Sequence, residues 1–143
     1  MRVLIDTNVI IDVLQDRAPW CEAGKQIFIA IANKQITGCL TAKEITDIHF
    51  ISRRQFKGGS NVDSKCREII SKLLKVFEIL DTIGPDCHSA LAIENNDYED
   101  AVMLSTAIRS KIDCIVTRDA EHYNSSPIPV YTPEVFVINK LGN

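Results

Sequence analysis

Short apolar runs recur along the chain, and most of them are separated by segments whose apolar residues have helical spacing. Five such runs predict strands, at Val3–Ile5, Ile36–Leu40, Val76–Leu80, Cys114–Thr117 and Pro129–Tyr131. Continuous apolar character is typical of strands that are buried on both faces of a sheet. Strands that alternate with helices favour parallel pairing, with helices on both faces. The sequence therefore predicts an α/β fold, a three-layer α/β/α sandwich with a mainly parallel central sheet of 4–5 strands.

Length and composition are typical of one globular domain, which we predict to span residues 1–143. No apolar run approaches the roughly 18 residues of a membrane span. The chain reaches Asp6 after only three apolar residues, too few for the core of a signal peptide. The five cysteines are odd in number and include no CxxC pair, which favours reduced thiols over disulfides or a zinc site. We therefore expect a cytoplasmic protein with no membrane partner.

Three acidic residues fall near the predicted carboxyl edge of the sheet, where α/β folds bind their ligands. Asp6 ends the first strand, and Asp119 follows the fourth strand by two residues. Glu44 lies in the first turn of the helix after the second strand, so it stays near the same edge.

A fourth acid, Asp100, reaches this edge by a longer route. Its helix leads to the strand that begins at Cys114, and that strand starts at the opposite edge of the sheet. The helix must therefore begin at the carboxyl edge, with Asp100 in its first turn. The sequence predicts that four carboxylates converge there.

Four carboxylates within several ångströms would repel one another and raise one another's pKa values. A hard divalent cation removes that cost, and Mg²⁺ takes oxygen ligands from carboxylates, water and substrate phosphate. No His or Cys stands at zinc-ligand spacing, so Mg²⁺ or Mn²⁺ is favoured over zinc. Such a site suits phosphodiester hydrolysis.

Each acid taken alone also has a structural explanation. Asp6 is of the type that caps a helix or forms a turn, and Glu44 has the spacing that completes a capping box. Asp97 and Asp100 both suit the start of a helix, where the helix dipole stabilises negative charge. Asp119 suits a turn. The joint placement of the acids is therefore more informative than any single one.

Four short motifs contain these acids: VLIDTNV at 3–9, TAKEI at 41–45, DYEDA at 97–101 and VTRD at 116–119. In this order they resemble the PIN-domain family of metal-dependent ribonucleases. Within that family they resemble the VapC-like toxin group of bacterial toxin–antitoxin pairs. The resemblance spans nearly the whole chain and implies a single PIN-like nuclease domain.

The resemblance implies a metal-dependent endoribonuclease that hydrolyses phosphodiester bonds of RNA, with Mg²⁺ or Mn²⁺ as cofactor. It assigns both metal binding and catalysis to four acids, Asp6, Glu44, Asp100 and Asp119. Asn8 and Thr117 match positions that orient ligands or water. We interpret Asp97 as the cap of the Asp100 helix, with a role behind Asp100 as a secondary alternative. The resemblance also implies a small antitoxin protein as partner, a homodimer, and a toxin's function in the cell.

The net charge of −3 excludes a uniformly basic coat for nucleic acid, but the charge is unevenly distributed. Residues 50–79 contain seven basic and three acidic residues, whereas residues 81–100 contain six acids and no Lys or Arg. The later basic residues of the first segment fit a solvated helix face with i,i+4 ion pairs. Arg53, Arg54 and Lys57 lie where the Glu44 helix runs into a glycine loop, and contact with RNA phosphates is an open alternative for them.

Aromatic residues make up only 6% of the chain. Phe28, Phe77 and Phe136 fall in apolar patterns that predict core positions. No stacking platform for unpaired bases is therefore evident from the sequence.

Two other function classes remain open. A phosphoryl-accepting signalling domain also gathers acids at the carboxyl edge, and Asp81 is its candidate acceptor. It needs a Lys soon after a later strand, however, and none closely follows Thr117. A non-catalytic binding module would keep an acidic cleft without turnover.

Overall fold

A parallel sheet forms the centre of the computed structural model, which describes residues 1–94 and 97–142. Its five strands are β1 (Arg2–Ile5), β2 (Thr37–Thr41), β3 (Glu78–Leu80), β4 (Cys114–Val116) and β5 (Val130–Tyr131). The strand order is β3-β2-β1-β4-β5, and every neighbouring pair is parallel. The predicted parallel sheet is confirmed.

Helices occupy the connections between the strands, and one more helix follows the last strand. Those of the described residues are α1 (Thr7–Leu14), α2 (Cys21–Ala32), α3 (Ala42–Gln55), α4 (Val62–Val76), α5 (Gly84–Ala90), α6 (Tyr98–Arg109) and α7 (Pro133–Lys140), together with a 3₁₀ helix at Ala120–Tyr123. Within residues 1–94 and 97–142, no helix combines the length and the apolar character needed to cross a bilayer.

The helices form two layers, and the strands direct alternate side chains into each layer. Val3 and Ile5 belong to a core cluster shared with α1, α2, α3, α4 and α7. Leu4 and Ile115 belong to a second cluster, on the side of α6, and α5 packs on α6. Because successive strand residues point to opposite faces, both faces must be apolar. This packing confirms the three-layer α/β/α sandwich and explains the continuous apolar runs.

The third strand begins later than its apolar run predicts. The run starts at Val76, but α4 extends through that residue, and the Phe77 N–H still donates to the Leu73 carbonyl at 2.9 Å. The strand therefore begins at Glu78, the first residue after this last helical hydrogen bond.

The strand order reverses beside β1. From β1 the chain moves outward through β2 to β3, and it then crosses back to place β4 on the other side of β1. Ile5 of β1 is in register with Val116 of β4. Such a reversal opens a crevice at the carboxyl ends of the two strands, the usual ligand position in open parallel sheets.

A candidate metal centre at the carboxyl edge of the sheet

Thr117 lies in the crevice between β1 and β4 and links two of the acids. Its hydroxyl donates a hydrogen bond to Asp6 Oδ2 at 2.7 Å and accepts one from the Asp119 N–H at 3.1 Å. Asp6 is the residue directly after β1, and Thr117 is the residue directly after β4. Thr117 is fully buried, so this hydroxyl fixes Asp6 against the segment that carries Asp119.

Asn8 makes a second link across the same crevice. Its Nδ2 lies 3.2 Å from Asp119 Oδ2, 3.3 Å from Thr117 Oγ1 and 3.4 Å from Asp6 Oδ2. Its Oδ1 accepts from the Arg118 N–H at 3.3 Å. The structure thus brings Asn8 together with two of the predicted acids.

Glu44 approaches from α3, where it is the third residue of the helix. The Thr41 hydroxyl accepts from the Glu44 N–H at 3.2 Å, and Glu44 Oε1 accepts from the Thr41 N–H at 2.9 Å. Its other oxygen, Oε2, accepts from the Thr7 hydroxyl at 3.3 Å. The capping box is therefore present. The same carboxylate is only 4% exposed and is close enough to Asp6 to feel its charge.

Asp100 is the third residue of α6, and Asp97 caps that helix. The Asp97 carboxylate accepts from the Glu99 N–H at 2.8 Å and from the Asp100 N–H at 3.4 Å. The buried Tyr123 hydroxyl lies beside Asp100, close enough to lower the pKa of that carboxyl, but outside the geometric limits of a hydrogen bond. Sequence reasoning did not identify Tyr123, because its place depends on how the 3₁₀ helix after β4 folds back.

The four predicted acids border two adjoining cavities. Asp6, Glu44 and Asp100 line the first, of about 360 Å³. Asp6, Asp100 and Asp119 line the second, of about 340 Å³. Because Asp6 and Asp100 line both, the acids of β1, α3, α6 and the β4 end share one region of the surface.

Burial and mutual repulsion both act on these carboxylates. Burial raises the pKa of Asp6 to about 6, and the nearby Asp100 and Asp119 charges add to this effect, while the Thr117 hydrogen bond opposes it. Burial also raises the pKa of Glu44 well above its usual value, with Asp6 as the next cause. Burial, followed by the charge of Asp97, raises the pKa of Asp100. The site therefore favours a bound proton or cation.

The donor chemistry fits a hard divalent cation. The carboxylates offer oxygen ligands only, and a cation would offset their repulsion. Among the described residues, no three Asp, Glu, His or Cys side chains are close enough to hold one ion as they stand. Asp6 and Glu44 are held instead by protein hydrogen bonds. Coordination of one cation by three or more of these carboxylates would therefore require the side chains to move closer together, whereas one or two carboxylates with water as further ligands would not.

Asp12 is a buried acid near this edge that sequence reasoning missed. Arg118 Nε lies 2.7 Å from Asp12 Oδ2, and the Arg118 guanidinium lies 4.6 Å from the centre of the Trp20 ring. Because Arg118 stands between Thr117 and Asp119, this ion pair anchors the segment that carries both. The available signal was a single acid within the apolar run of α1.

The three predicted phosphate contacts lie away from the acids. Arg53 and Arg54 are exposed in the last turn of α3, and Lys57 is exposed two residues beyond its end. Arg54 is roughly 15 Å along the helix from Glu44 at 1.5 Å per residue. In the described part of the chain, none of the three lines either cavity.

The signalling alternative has little support in the sheet. Asp81, its candidate acceptor, follows β3, which is an edge strand. That alternative requires an acceptor after a central strand.

Comparison with protein families matches residues 2–121 to the family model described as PIN domain. The matched range runs from β1 into the 3₁₀ helix and therefore includes all four acids. A comparison with curated proteins found no match.

Several solved structures have a similar fold. FitAcB from Neisseria gonorrhoeae has a TM-score of 0.72 and 18% identity, covering 92% of this chain and 98% of that one. VapBC2 from Rickettsia felis, bound to a DNA fragment from its promoter, has a TM-score of 0.66 and 13% identity, covering 92% and 98%. A toxin–antitoxin complex from Klebsiella pneumoniae has a TM-score of 0.65 and 20% identity, covering 92% and 97%. At these identities the likeness establishes the fold.

Proposed function

This chain belongs to the PIN domain family, and from that membership we propose that it is a metal-dependent endoribonuclease that hydrolyses phosphodiester bonds of RNA. One observation carries the proposal: Asp6, Glu44, Asp100 and Asp119 border two adjoining cavities at the crevice beside β1. Family membership supports a nuclease, and the oxygen-only donor set supports metal-assisted hydrolysis.

Mg²⁺ or Mn²⁺ is the proposed cofactor. The residues that would hold it are Asp6, Glu44, Asp100 and Asp119. When bound, the cation would lower the pKa of the attacking water and offset the charge that develops on the phosphate. The raised pKa values of Asp6 and Glu44 support this assignment, because a cation relieves the repulsion that contributes to them.

The other residues of the site position these acids. Thr117 holds Asp6 through its hydroxyl, and Asn8 spans the gap between Asp6 and Asp119. Asp97 caps α6 and so fixes the helical turn that carries Asp100.

Arg53, Arg54 and Lys57 are proposed contacts for the RNA backbone. Arg53 and Arg54 are exposed in the last turn of the helix whose first turn carries Glu44, and Lys57 is exposed just beyond that helix. Contacts of this kind depend on charge, so they would weaken as salt concentration rises.

We further propose that the protein is the toxin of a type II toxin–antitoxin pair, acts in the cytoplasm and forms a homodimer. The similar folds found in toxin–antitoxin complexes support a small antitoxin protein as partner. An antitoxin that covers the acidic cleft would keep RNA from the acids.

Cleavage of total cellular RNA tests the enzymatic proposal. Wild-type protein with Mg²⁺ should cut RNA, and excess EDTA should stop the reaction. Asp100→Asn should lower the cleavage rate by at least about 100-fold, because it removes a charged metal ligand. Its far-ultraviolet circular dichroism should match that of the wild type. Full activity in Asp100→Asn, or in EDTA, would contradict the proposal.

Expression in a bacterial host tests the toxin role separately. The wild type should arrest growth, and Asp100→Asn at matched expression should not. Normal growth with an active, well-expressed wild type would rule out the toxin role and leave the ribonuclease proposal intact.

A further inference from the structure

An exposed aromatic ring lines the acidic cleft. Phe50 on α3 is 62% exposed, and it borders the same cavity as Asp6, Glu44 and Asp100. A ring left in water contributes little to folding, because the hydrophobic effect acts only on surface that is removed from water. What distinguishes Phe50 from other exposed apolar side chains, such as Leu91 and Ile138, is its position on the wall of the acidic cavity, where a bound ligand would reach it.

Three basic residues follow Phe50 along the same face of α3 and of the turn after it, and form a stripe with it. Arg53, Arg54 and Lys57 follow it at the i+3, i+4 and i+7 positions, the spacing that places residues on one helix face. The turn continues past the end of α3, since the Lys57 N–H donates to the Arg54 carbonyl at 3.4 Å. The stripe therefore runs from the mouth of the cleft outward along α3.

Two of these cations are available to a ligand. Within residues 1–94 and 97–142, neither Arg54 nor Lys57 takes part in an ion pair. Arg53 is less available, because its charge acts on the nearby Asp63 carboxylate and helps to lower the pKa of that group. An anionic chain next to Phe50 would therefore meet Arg54 and then Lys57.

We propose that Phe50 stacks on an unpaired base of the RNA substrate, whose backbone then runs along α3 past Arg54 to Lys57. Surfaces that bind single strands combine aromatic rings for the bases with cations for the phosphates. The inference rests on the proposed ribonuclease function and assigns to Phe50 the contact with one base and to α3 the path of the strand. The bases of a duplex are already stacked on one another, so only an unpaired base can make this contact. The sequence did not indicate this role for Phe50, because the exposure of a single aromatic side chain in an amphipathic helix cannot be deduced from the sequence.

Two substitutions at Phe50 separate ring stacking from apolar bulk. Phe50→Leu keeps an apolar side chain without a ring, and Phe50→Trp restores an aromatic surface. We expect Phe50→Leu to raise KM for a single-stranded RNA about tenfold, with a smaller change in kcat, and Phe50→Trp to return KM to near the wild-type value. Cleavage of the same sequence within a duplex should not depend on the ring.

Fluorescence gives a readout that does not require cleavage. In the Asp100→Asn background with Mg²⁺, a short RNA that contains 2-aminopurine should be quenched on binding. Phe50→Leu should remove the quenching at one nucleotide position. Leu74→Ala is the matched control, because Leu74 is 51% exposed but lines a different cavity, between α3 and α4.

The outcomes distinguish the inference from the function on which it rests. If the wild type cleaves RNA and Phe50→Leu keeps both its KM and the quenching, the stacking role is wrong and the ribonuclease proposal stands. If quenching depends on Phe50 but the wild type cuts no RNA, the proposed function fails and the base contact stands. If Phe50→Leu leaves KM and the quenching unchanged but lowers the molar mass of the protein measured by light scattering, the ring contacts a second copy of the chain, and the inference is overturned.

Discussion

A single hydroxyl, that of Thr117, connects two acids that are more than a hundred residues apart in sequence. It donates to the Asp6 carboxylate and accepts from the Asp119 backbone, and it is fully buried. Its loss would remove the shortest hydrogen bond that the structure gives to the Asp6 carboxylate and would also leave the Asp119 N–H without this acceptor. The orientation of Asp6 therefore depends on a residue that carries no charge.

Thr117→Val tests this dependence, because it keeps the shape of the side chain and removes the hydroxyl. We expect kcat/KM for RNA cleavage to fall about 10- to 100-fold. We expect the free energy of unfolding in urea to fall by about 1–2 kcal/mol. Thr117→Ser keeps the hydroxyl and should retain most of the activity. A fully active Thr117→Val would show that Asp6 does not need this hydrogen bond.

At the scale of residues, local motif and strand position sufficed to predict that the four acids share one edge. The charge and hydrogen-bond environment of each acid needed the tertiary structure. Glu44 illustrates the difference: from sequence it is either a capping residue or a functional acid. In the structure its carboxylate completes the capping box and also lines the cavity that Asp6 and Asp100 border. Tyr123 and Asp12 were missed because their burial depends on contacts between distant segments.

One ion pair, between the partly exposed Arg109 and the buried Asp86, joins α5 to α6, the helix that carries Asp100. Arg109 Nε lies 2.8 Å from Asp86 Oδ1, and the Thr106 hydroxyl donates to Asp86 Oδ2 at 3.1 Å. The Arg109 hydrogen bond is the largest cause that holds the pKa of Asp86 below its usual value, with burial opposing it. Asp86 therefore stabilises the packing of α5 on α6 when its side chain is ionised.

Asp86→Asn should lower the free energy of unfolding at neutral pH by about 2 kcal/mol. This is less than for a fully buried pair, because the Arg109 side chain is 39% exposed. With its pKa depressed in the folded state, Asp86 stabilises the wild type above the ordinary carboxyl pKa. That contribution is lost as pH falls through the lowered value.

Urea unfolding of the wild type and of Asp86→Asn, at neutral pH and below about pH 4, measures how much the ionised Asp86 contributes to stability. The gap in unfolding free energy between wild type and Asp86→Asn should narrow at the lower pH. A gap that stays constant over this range would show that the charge of Asp86 does not stabilise the helix pair.

At the scale of elements, apolar runs and strand–helix alternation predicted the parallel sheet well. Their limit appears at β3, where helical hydrogen bonds of α4 continue into a run that also suits a strand. The amphipathic pattern of α3 likewise does not reveal that Phe50 remains exposed. Which side of a helix is left uncovered depends on packing between elements, which no local pattern encodes.

For the molecule as a whole, the four acids account for its negative charge. Without them the formal net charge of −3 becomes +1. Holding these like charges in a buried crevice opposes folding, as the raised pKa values of Asp6, Glu44 and Asp100 indicate. A cation that binds only the folded chain would offset this cost.

Saturating Mg²⁺ or Mn²⁺ should therefore raise the melting temperature. Binding at about 100 times the dissociation constant stabilises the folded state by about 2.7 kcal/mol, which corresponds to roughly 5–10 °C for a domain of this size. The shift is measured by calorimetry at constant ionic strength, with KCl as the control salt. Asp100→Asn should show a smaller shift, and equal shifts for wild type and variant would argue against Asp100 as a ligand.

The central position of β1 also determines when the four acids come together during synthesis of the chain. Leu4 pairs with Cys39 of β2 on one side and with Ile115 of β4 on the other. One of the two partners of β1, the strand β4, is therefore synthesised much later than β1 itself. Until β4 has left the ribosome, Asp119 cannot join Asp6. Any chain that ends before Asp119 therefore lacks the complete set of four acids, however much of the sheet it has already formed.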